Sequence, residues 1–214
     1  MAKKLFIFGA GSAGKEILQI IFQINQVKTT WDVVGFVDTN LKLMKKKISG
    51  ISILNNNDLP VSNDYYGICG VMDCRVKKKI INNEIKKKNY KLATIIHPDV
   101  MQQSDLIIGD GSILFTGVKI SYNVKIGKCV WIDVNTLLAH DVIVDDYTSI
   151  MPATTISGNC KIGSESIIGA GVTIHQNISI GKKCLVGIGS TIIKNIPDKT
   201  KIADFTRKIV RENI

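Results

Sequence analysis

Of the three histidines in the 214 residues, one, His140, is followed directly by a carboxylate, Asp141. An imidazole titrates near neutrality, which suits it to take a proton from an incoming amine or hydroxyl. A neighbouring carboxylate can hold one ring nitrogen and stabilise the imidazolium, leaving the other nitrogen to the substrate. On residue type alone, a bare surface position is the commoner explanation of such a histidine. A second constellation opens the chain, where Leu5 to Phe8 lead into Gly9-Ala10-Gly11-Ser12-Ala13-Gly14 and then the helical run Lys15 to Ile24. Strand, glycine turn and helix start is the order that brings backbone close to a phosphate, with the free amides of the helix facing it. Asp38 closes a second strand-like run, Trp31 to Val37, where such an acid grips a ribose hydroxyl. It stands further from the glycines than the usual spacing of about 20 residues. A turn that only packs a helix on a sheet is the competing reading.

The elements that must carry these residues follow from one periodicity. From residue 108 to 192 every sixth position is Ile, Leu or Val, without a miss. A period of six fits neither an amphipathic helix nor a half-buried strand and belongs to the hexapeptide β-helix, in which each face of a triangular coil takes six residues. The position four after each aliphatic is never charged or aromatic, as an inward corner demands. The residue directly after the aliphatic is often Gly (109, 127, 163, 169, 181 and 187) or Asp (133 and 145), types suited to tight turns between faces. Three hexads complete a coil, so about five coils stack as a solenoid. In this register His140 sits two places after Leu138 and projects from a corner.

Composition bounds the rest. With 45% hydrophobic residues and no apolar run near twenty, the chain reads as a soluble protein of about two domains, an α/β Rossmann-like unit over residues 1–100 and an all-β parallel helix over 101–214. Third-strand and basic-helix patterns appear at Tyr66 to Val71 and at about Arg75 to Lys88, before Ile95-Ile96-His97-Pro98 leads into the repeat. The N-terminal apolar stretch is too short for a signal peptide, and five cysteines without a CxxC pair read as reduced packing residues, so the expected compartment is the cytoplasm. Net charge is +10, much of it in Lys45 to Lys47, Lys77 to Lys79 and Lys86 to Lys88, but without interleaved aromatics these runs read as solvated surface, not as a nucleic-acid site. Hexapeptide helices also host metal-dependent hydratases. Here His140 and His175 lie nearly two coils apart, roughly 10 Å at about 4.8 Å per coil, which fits no zinc site with ligands at about 2 Å. No metal is expected.

The glycine-rich N-terminal unit, the Ile-His-Pro hinge and the uninterrupted hexapeptide helix together resemble the PglD/NeuD family of sugar acyltransferases over nearly the whole chain. The most specific stretches are Asn135-Thr136-Leu137-Leu138-Ala139-His140-Asp141 and Gly158-Asn159-Cys160-Lys161-Ile162-Gly163. The resemblance implies a left-handed winding, a homotrimer, acetyl-CoA along the helix between two subunits, and a nucleotide-linked amino sugar or sialic acid at the N-terminal unit. It implies His140 as base with Asp141 as its partner, and the Gly158 amide as oxyanion donor beside Asn159 and Ser149 at the acyl donor. Gly9, Gly11, Ser12, Ala13, Gly14, Asp38 and Asn135 are then expected at the sugar nucleotide. Two departures stand out. Ser149 replaces a second His that many members carry near the thioester, and Ala203-Asp204-Phe205-Thr206-Arg207-Lys208 replaces the usual Gly-x-Pro-Ala-Lys, with Arg207 and Lys208 offering charge for a phosphate. The expected activity is acetyl-CoA-dependent N-acylation of a UDP-linked amino sugar in surface-glycan synthesis. O-acetylation of sialic or a related nonulosonic acid, and a non-catalytic ligand-binding or scaffold trimer, are the alternatives.

Overall fold

The computed structural model describes residues 1–44 and 46–203. Lys45 and the stretch with Arg207 and Lys208 lie outside them. The first unit is a six-stranded sheet built from β1 (Lys3–Phe8), β2 (Trp31–Val37), β3 (Lys47–Ile48), β4 (Ile51–Leu54), β5 (Tyr65–Cys69) and β6 (Lys91–Leu92). Its order is β3-β4-β2-β1-β5-β6, and only the β3–β4 pair is antiparallel. The continuous run Leu5-Phe6-Ile7-Phe8 is buried throughout because β1 lies in the middle with layers on both faces. The chain leaves β1 to form β2 on one side and returns to form β5 on the other. A crevice therefore opens between the carboxyl ends of these strands, where α/β sheets bind ligands. Helix α1 (Ser12–Val27) begins three residues earlier than its apolar pattern suggests, and α2 is short (Cys74–Ile80). The expected basic helix to Lys88 is replaced beyond Ile80 by a π turn and a 3₁₀ turn, stopped at Asn89 in a left-handed conformation (φ 62°).

The second unit is a left-handed parallel β-helix of three sheets, with five, five and seven short strands. Residues eighteen apart pair, as in Trp131 with Ser149 and Leu137 with Thr155. Both inward rows read from the sequence are buried, with Ile108 alone partly open. The corners are made differently from the expectation. The left-handed residue is the third after each inward aliphatic from Ile108 to Val186, as in Asn123, Asn135, Asp141, Asn159 and Asn177, with φ between 54° and 62° in these five. The glycines directly after the aliphatics serve close stacking instead: a Cβ on Gly109 would stand 2.6 Å from the Gly127 carbonyl carbon, and one on Gly163 equally close to that of Gly181. The last coil is two residues short, since Leu185 pairs with Lys201.

The two units share one core. Ile17, Ile68 and Trp31 pack in the same cluster as Ile95, Ile113, Phe115 and Trp131, so the N-terminal unit covers the outer side of the seven-stranded face. Under that unit the outward positions Ile113, Trp131 and Ser149 are buried, while further along the same face Ile167 is partly open and Leu185 exposed, and Lys119, Lys125 and Lys161 occupy such positions on the other faces. His97 ties the joint, its ring nitrogens 2.5 Å from Asp99 Oδ1 and 2.6 Å from Gln23 Oε1 of α1.

One expected surface residue proves buried. Lys77, which the pattern puts on a wet helix face, is 3% exposed, and its Nζ donates to Thr148 O at 3.2 Å and Ser149 Oγ at 2.9 Å. Helix α2 lies against the β-helix through Cys74, Lys77 and Lys78, the last paired with Glu165 at 2.5 Å, and this turns Lys77 inward. Desolvation pushes its pKa down, opposed in part by the cysteines around it. The unfolded chain therefore holds this proton more tightly than the folded one, and stability gains with rising pH until the ordinary lysine value near about 10.4 is passed. Thr148 O also accepts from Trp131 N and Ser149 Oγ donates to Met72 O, so a Lys77→Met chain leaves neither orphaned. We expect Lys77→Met to lessen the gain in thermal midpoint as pH is raised toward the ordinary lysine value; an unchanged slope would mean that the lysine is not desolvated in solution.

Candidate active site

His140 stands on the corner between the two five-stranded faces, in a stack generated by the eighteen-residue ladder. The Tyr122 ring lies one coil away, stacked on the imidazole with centroids 5.5 Å apart and planes 12° from parallel. On the other side Gly158 takes the next coil, and a Cβ there would stand 2.5 Å from His140 Nε2. Only glycine leaves room for the ring. His140 Nδ1 is 2.8 Å from Asp141 Oδ2. A carboxylate only accepts, so Nδ1 carries the hydrogen and Nε2 keeps its lone pair. Asp141 takes a second hydrogen bond from Asn123 Nδ2 at 2.5 Å, and the bonds from His140 and then Asn123 hold its carboxyl below the usual range. The imidazole remains partly open, with 44% of its side chain exposed. This arrangement can accept a proton at Nε2 and stabilise the resulting cation through Asp141.

Tyr122 and Asn123 were not anticipated, although each lies eighteen residues before a member of the pair, and that offset is the signal that finds them. Asn159 occupies the same left-handed corner column as Asn123 and Asp141, its amide donating to His140 O at 3.0 Å. The corner geometry, which favours Asn and Asp, explains these residue types before any ligand is invoked. Among the described residues the Gly158 N–H has no acceptor, because the ladder uses the amides on either side of it, those of Ser157 and Asn159. Asn135 is not in this group. It caps the neighbouring corner, its Oδ1 against Gly117. Ser149 is also elsewhere: fully buried, it spends its hydroxyl on Met72 O at 2.7 Å and on Lys77. His175 is exposed and its Nδ1 lies 3.2 Å from Gln176 O.

The glycine turn lies at the sheet crevice, a cleft of about 320 Å³ lined by Gly9, Asp38, Thr39, Val76, Lys79 and Glu84 among others. Asp38 Oδ2 accepts from Ala10 N at 2.9 Å and Oδ1 from Asn40 N at 2.8 Å, so the acid pins the turn to the end of β2. The glycines divide into two kinds. A Cβ on Gly14 would collide with Gly9 O and one on Gly70 would stand 2.8 Å from Gly14 Cα, so these bring α1 and β5 together, and Gly9 itself needs φ +111°. At Gly11, by contrast, a Cβ meets nothing within 4 Å and φ is an ordinary −76°. Open space above the first turn of α1, where Ser12, Ala13 and Gly14 carry the unpaired amides of a helix start, is suited to an anionic group. Crevice and imidazole do not meet within one chain. The N-terminal unit covers the seven-stranded face, and the His140 corner is the vertex opposite that face.

Among the described residues no group of three or more His, Cys, Asp or Glu side chains could hold a metal ion, and no helix is long and apolar enough to cross a membrane.

Residues 4–84 match the family model of the PglD N-terminal domain and residues 146–176 that of the bacterial transferase hexapeptide (six repeats). Over 169 residues the chain is 30% identical to GDP-perosamine N-acetyltransferase of Escherichia coli O157:H7, covering 77% of this chain and 75% of that protein. Among solved structures, the acetyltransferase domain of PglB from Neisseria gonorrhoeae in complex with acetyl coenzyme A superposes with a TM-score of 0.83 at 25% identity, covering 95% of this chain and 97% of that one. The Caulobacter crescentus PerB structure shares the fold at 19% identity, with a TM-score of 0.78 over 91% of each chain. A Rossmann-like crevice joined to a hexapeptide prism with an imidazole on its far vertex, together with these matches, places the chain in the PglD/NeuD family of sugar acyltransferases.

Proposed function

We propose that the chain is an acetyl-CoA-dependent N-acetyltransferase acting on the amino group of a nucleotide-linked amino sugar, and that it works as a homotrimer in a reducing, cytoplasmic setting. The observation that carries this reading is His140 held by Asp141 in one tautomer, between Tyr122 and Gly158, with Nε2 outward. The acceptor nitrogen attacks the thioester carbonyl while Nε2 takes its proton. The C–N bond forms, the carbonyl oxygen gains charge against the Gly158 N–H, and collapse breaks the C–S bond. The imidazolium then returns its proton to the departing thiolate, so the residue is regenerated. The relative from Escherichia coli is named for N-acetylation of a GDP-linked amino sugar, and the Neisseria domain holds acetyl coenzyme A; both support the reading.

The separation of crevice and imidazole supports an assembly of copies, of which a homotrimer is the form proposed. An acceptor in the crevice lies on the far side of its own prism from His140, so a second copy must present the imidazole to it. Leu137 and Ile143, outward on either side of the His140 corner, are 39% and 36% exposed, and Tyr122 is 56% exposed. This apolar rim is suited to burial against a neighbouring copy. The five buried free cysteines suit a reducing compartment.

A thiol-release assay with acetyl-CoA against a panel of amino-sugar nucleotides and sialic acids tests the activity. Turnover with the former alone is expected; turnover with sialic acids alone would name an O-acetyltransferase, and none with any acceptor would leave a binding or scaffold trimer. His140→Ala should lower turnover by roughly 10²- to 10⁴-fold while size-exclusion elution stays that of the wild type; full activity would remove His140 from the mechanism. Gly158→Ala should also lower turnover, since its methyl displaces the ring, and a wild-type rate would show that the stack does not set the imidazole. Gly11→Trp fills open space without backbone strain, so calorimetry should show weakened sugar-nucleotide binding and unchanged acetyl-CoA binding. Unchanged affinity for both would make the turn purely structural.

A further inference from the structure

Two carboxylates line the crevice, and they are not equivalent. Asp38 has both oxygens engaged by backbone amides, those of Ala10 and Asn40. Glu84, on the π turn that follows α2, is partly buried and has no hydrogen-bond or ion-pair partner among the described residues. Burial first, and the negative charge of Asp38 second, push its carboxyl above the usual range, which places the two acids within reach of each other's field. An unpaired and partly dehydrated carboxylate is costly unless a ligand supplies donors. The same cleft is lined by the apolar side chains of Val71, Val76 and Ile80, which offer a planar group a surface to rest on, and by Lys79, a cation suited to a phosphate.

The bases of nucleotides differ in what they offer a carboxylate. Guanine presents N1–H and the exocyclic amine side by side, two donors at the spacing of two carboxylate oxygens. Uracil presents one N–H flanked by two carbonyl oxygens, which a carboxylate repels. Cytosine and adenine each set their single amine beside an acceptor nitrogen. We propose that Glu84 is the residue that selects the base, pairing with the Watson–Crick edge of guanine, so that the acceptor is carried on GDP and not on UDP. This departs from the UDP-linked acceptor expected from the sequence. It rests on the crevice being the nucleotide site of the proposed transferase. The principal rival is a carboxylate that holds the ribose diol, which every nucleotide shares.

The test is calorimetric titration of the full chain with GDP, UDP, inosine diphosphate and acetyl-CoA. Wild-type protein is expected to bind GDP at least tenfold more tightly than UDP. Inosine diphosphate, which keeps N1–H but lacks the amine, should fall at least fivefold below GDP; this comparison needs no variant to fold. Glu84→Gln should weaken GDP until it matches UDP within about threefold, with UDP and acetyl-CoA unchanged and a wild-type melting curve. Equal losses of GDP and UDP in Glu84→Gln would assign the carboxylate to the ribose and overturn the proposal. Tighter binding of UDP, or equal binding of GDP and inosine diphosphate, would also overturn it while leaving the transferase reading intact. If neither GDP nor UDP binds although acetyl-CoA does, the crevice is not the nucleotide site and both readings fall.

Discussion

The structure depends on the parallel hydrogen-bond ladder that sets each residue of the prism directly over the residue eighteen places earlier. Amides such as Ala139 N and Asp141 N donate to Ile156 O and Tyr122 O in adjacent coils. This register converts sequence offset into spatial contact. Tyr122, His140 and Gly158 become an aromatic ring, an imidazole and the gap it needs, while Asn123, Asp141 and Asn159 become a column of short polar side chains beside them. The His140–Asp141 pair owes its orientation to neighbours one coil above and below, and these cannot shift without breaking backbone bonds of the solenoid. Side chains held in this way lose little freedom on meeting a substrate, which is the condition for effective general-base catalysis.

The same ladder forces a division of labour between corners and faces. Each corner from residue 111 to 189 takes a left-handed residue, and the chain meets this with Asn, Asp and Gly, along with less suited types such as Tyr147 and Lys183. Asp141 therefore satisfies two demands with one residue, a backbone conformation that short polar side chains tolerate and a carboxylate beside the imidazole. The outward faces differ according to what covers them. Where the N-terminal unit lies, outward positions are Ile113, Trp131 and Ser149, and the helix α2 inserts Cys74 and Lys77 against them. Docking there covers much of the seven-stranded face and leaves His140 on the opposite vertex. Separation of the sheet crevice from His140 within one chain is thus a consequence of which face the first unit buries.

The crevice of the first unit follows from strand order. Because β1 is flanked by β2 and β5, the loops at their carboxyl ends diverge, and the glycine turn lies in the gap. Gly9, Gly14 and Gly70 approach one another closely enough that side chains are excluded. Gly11 is under no such constraint.

Much of this was legible in the amino-acid order. A period of six over residues 108–192 specifies a hexapeptide prism because inward rows must be apolar and corners small, and that rule acts within each coil. Leu5 to Phe8 ahead of the glycines specifies a buried strand and a tight turn for equally local reasons. The His140–Asp141 pair was legible because adjacent residues at a corner need no tertiary contact to meet. What the tertiary structure alone decided concerns residues brought together over long separations. Lys77 reads as one more solvated lysine until α2 is laid on the face that holds Ser149, seventy-two residues later. Ser149 is buried for the same reason, and Asn135 sits on a different corner from His140. Local pattern fixes which elements form and which way each side chain leaves its strand, whereas burial depends on what the rest of the chain sets against it, a property that no single segment carries.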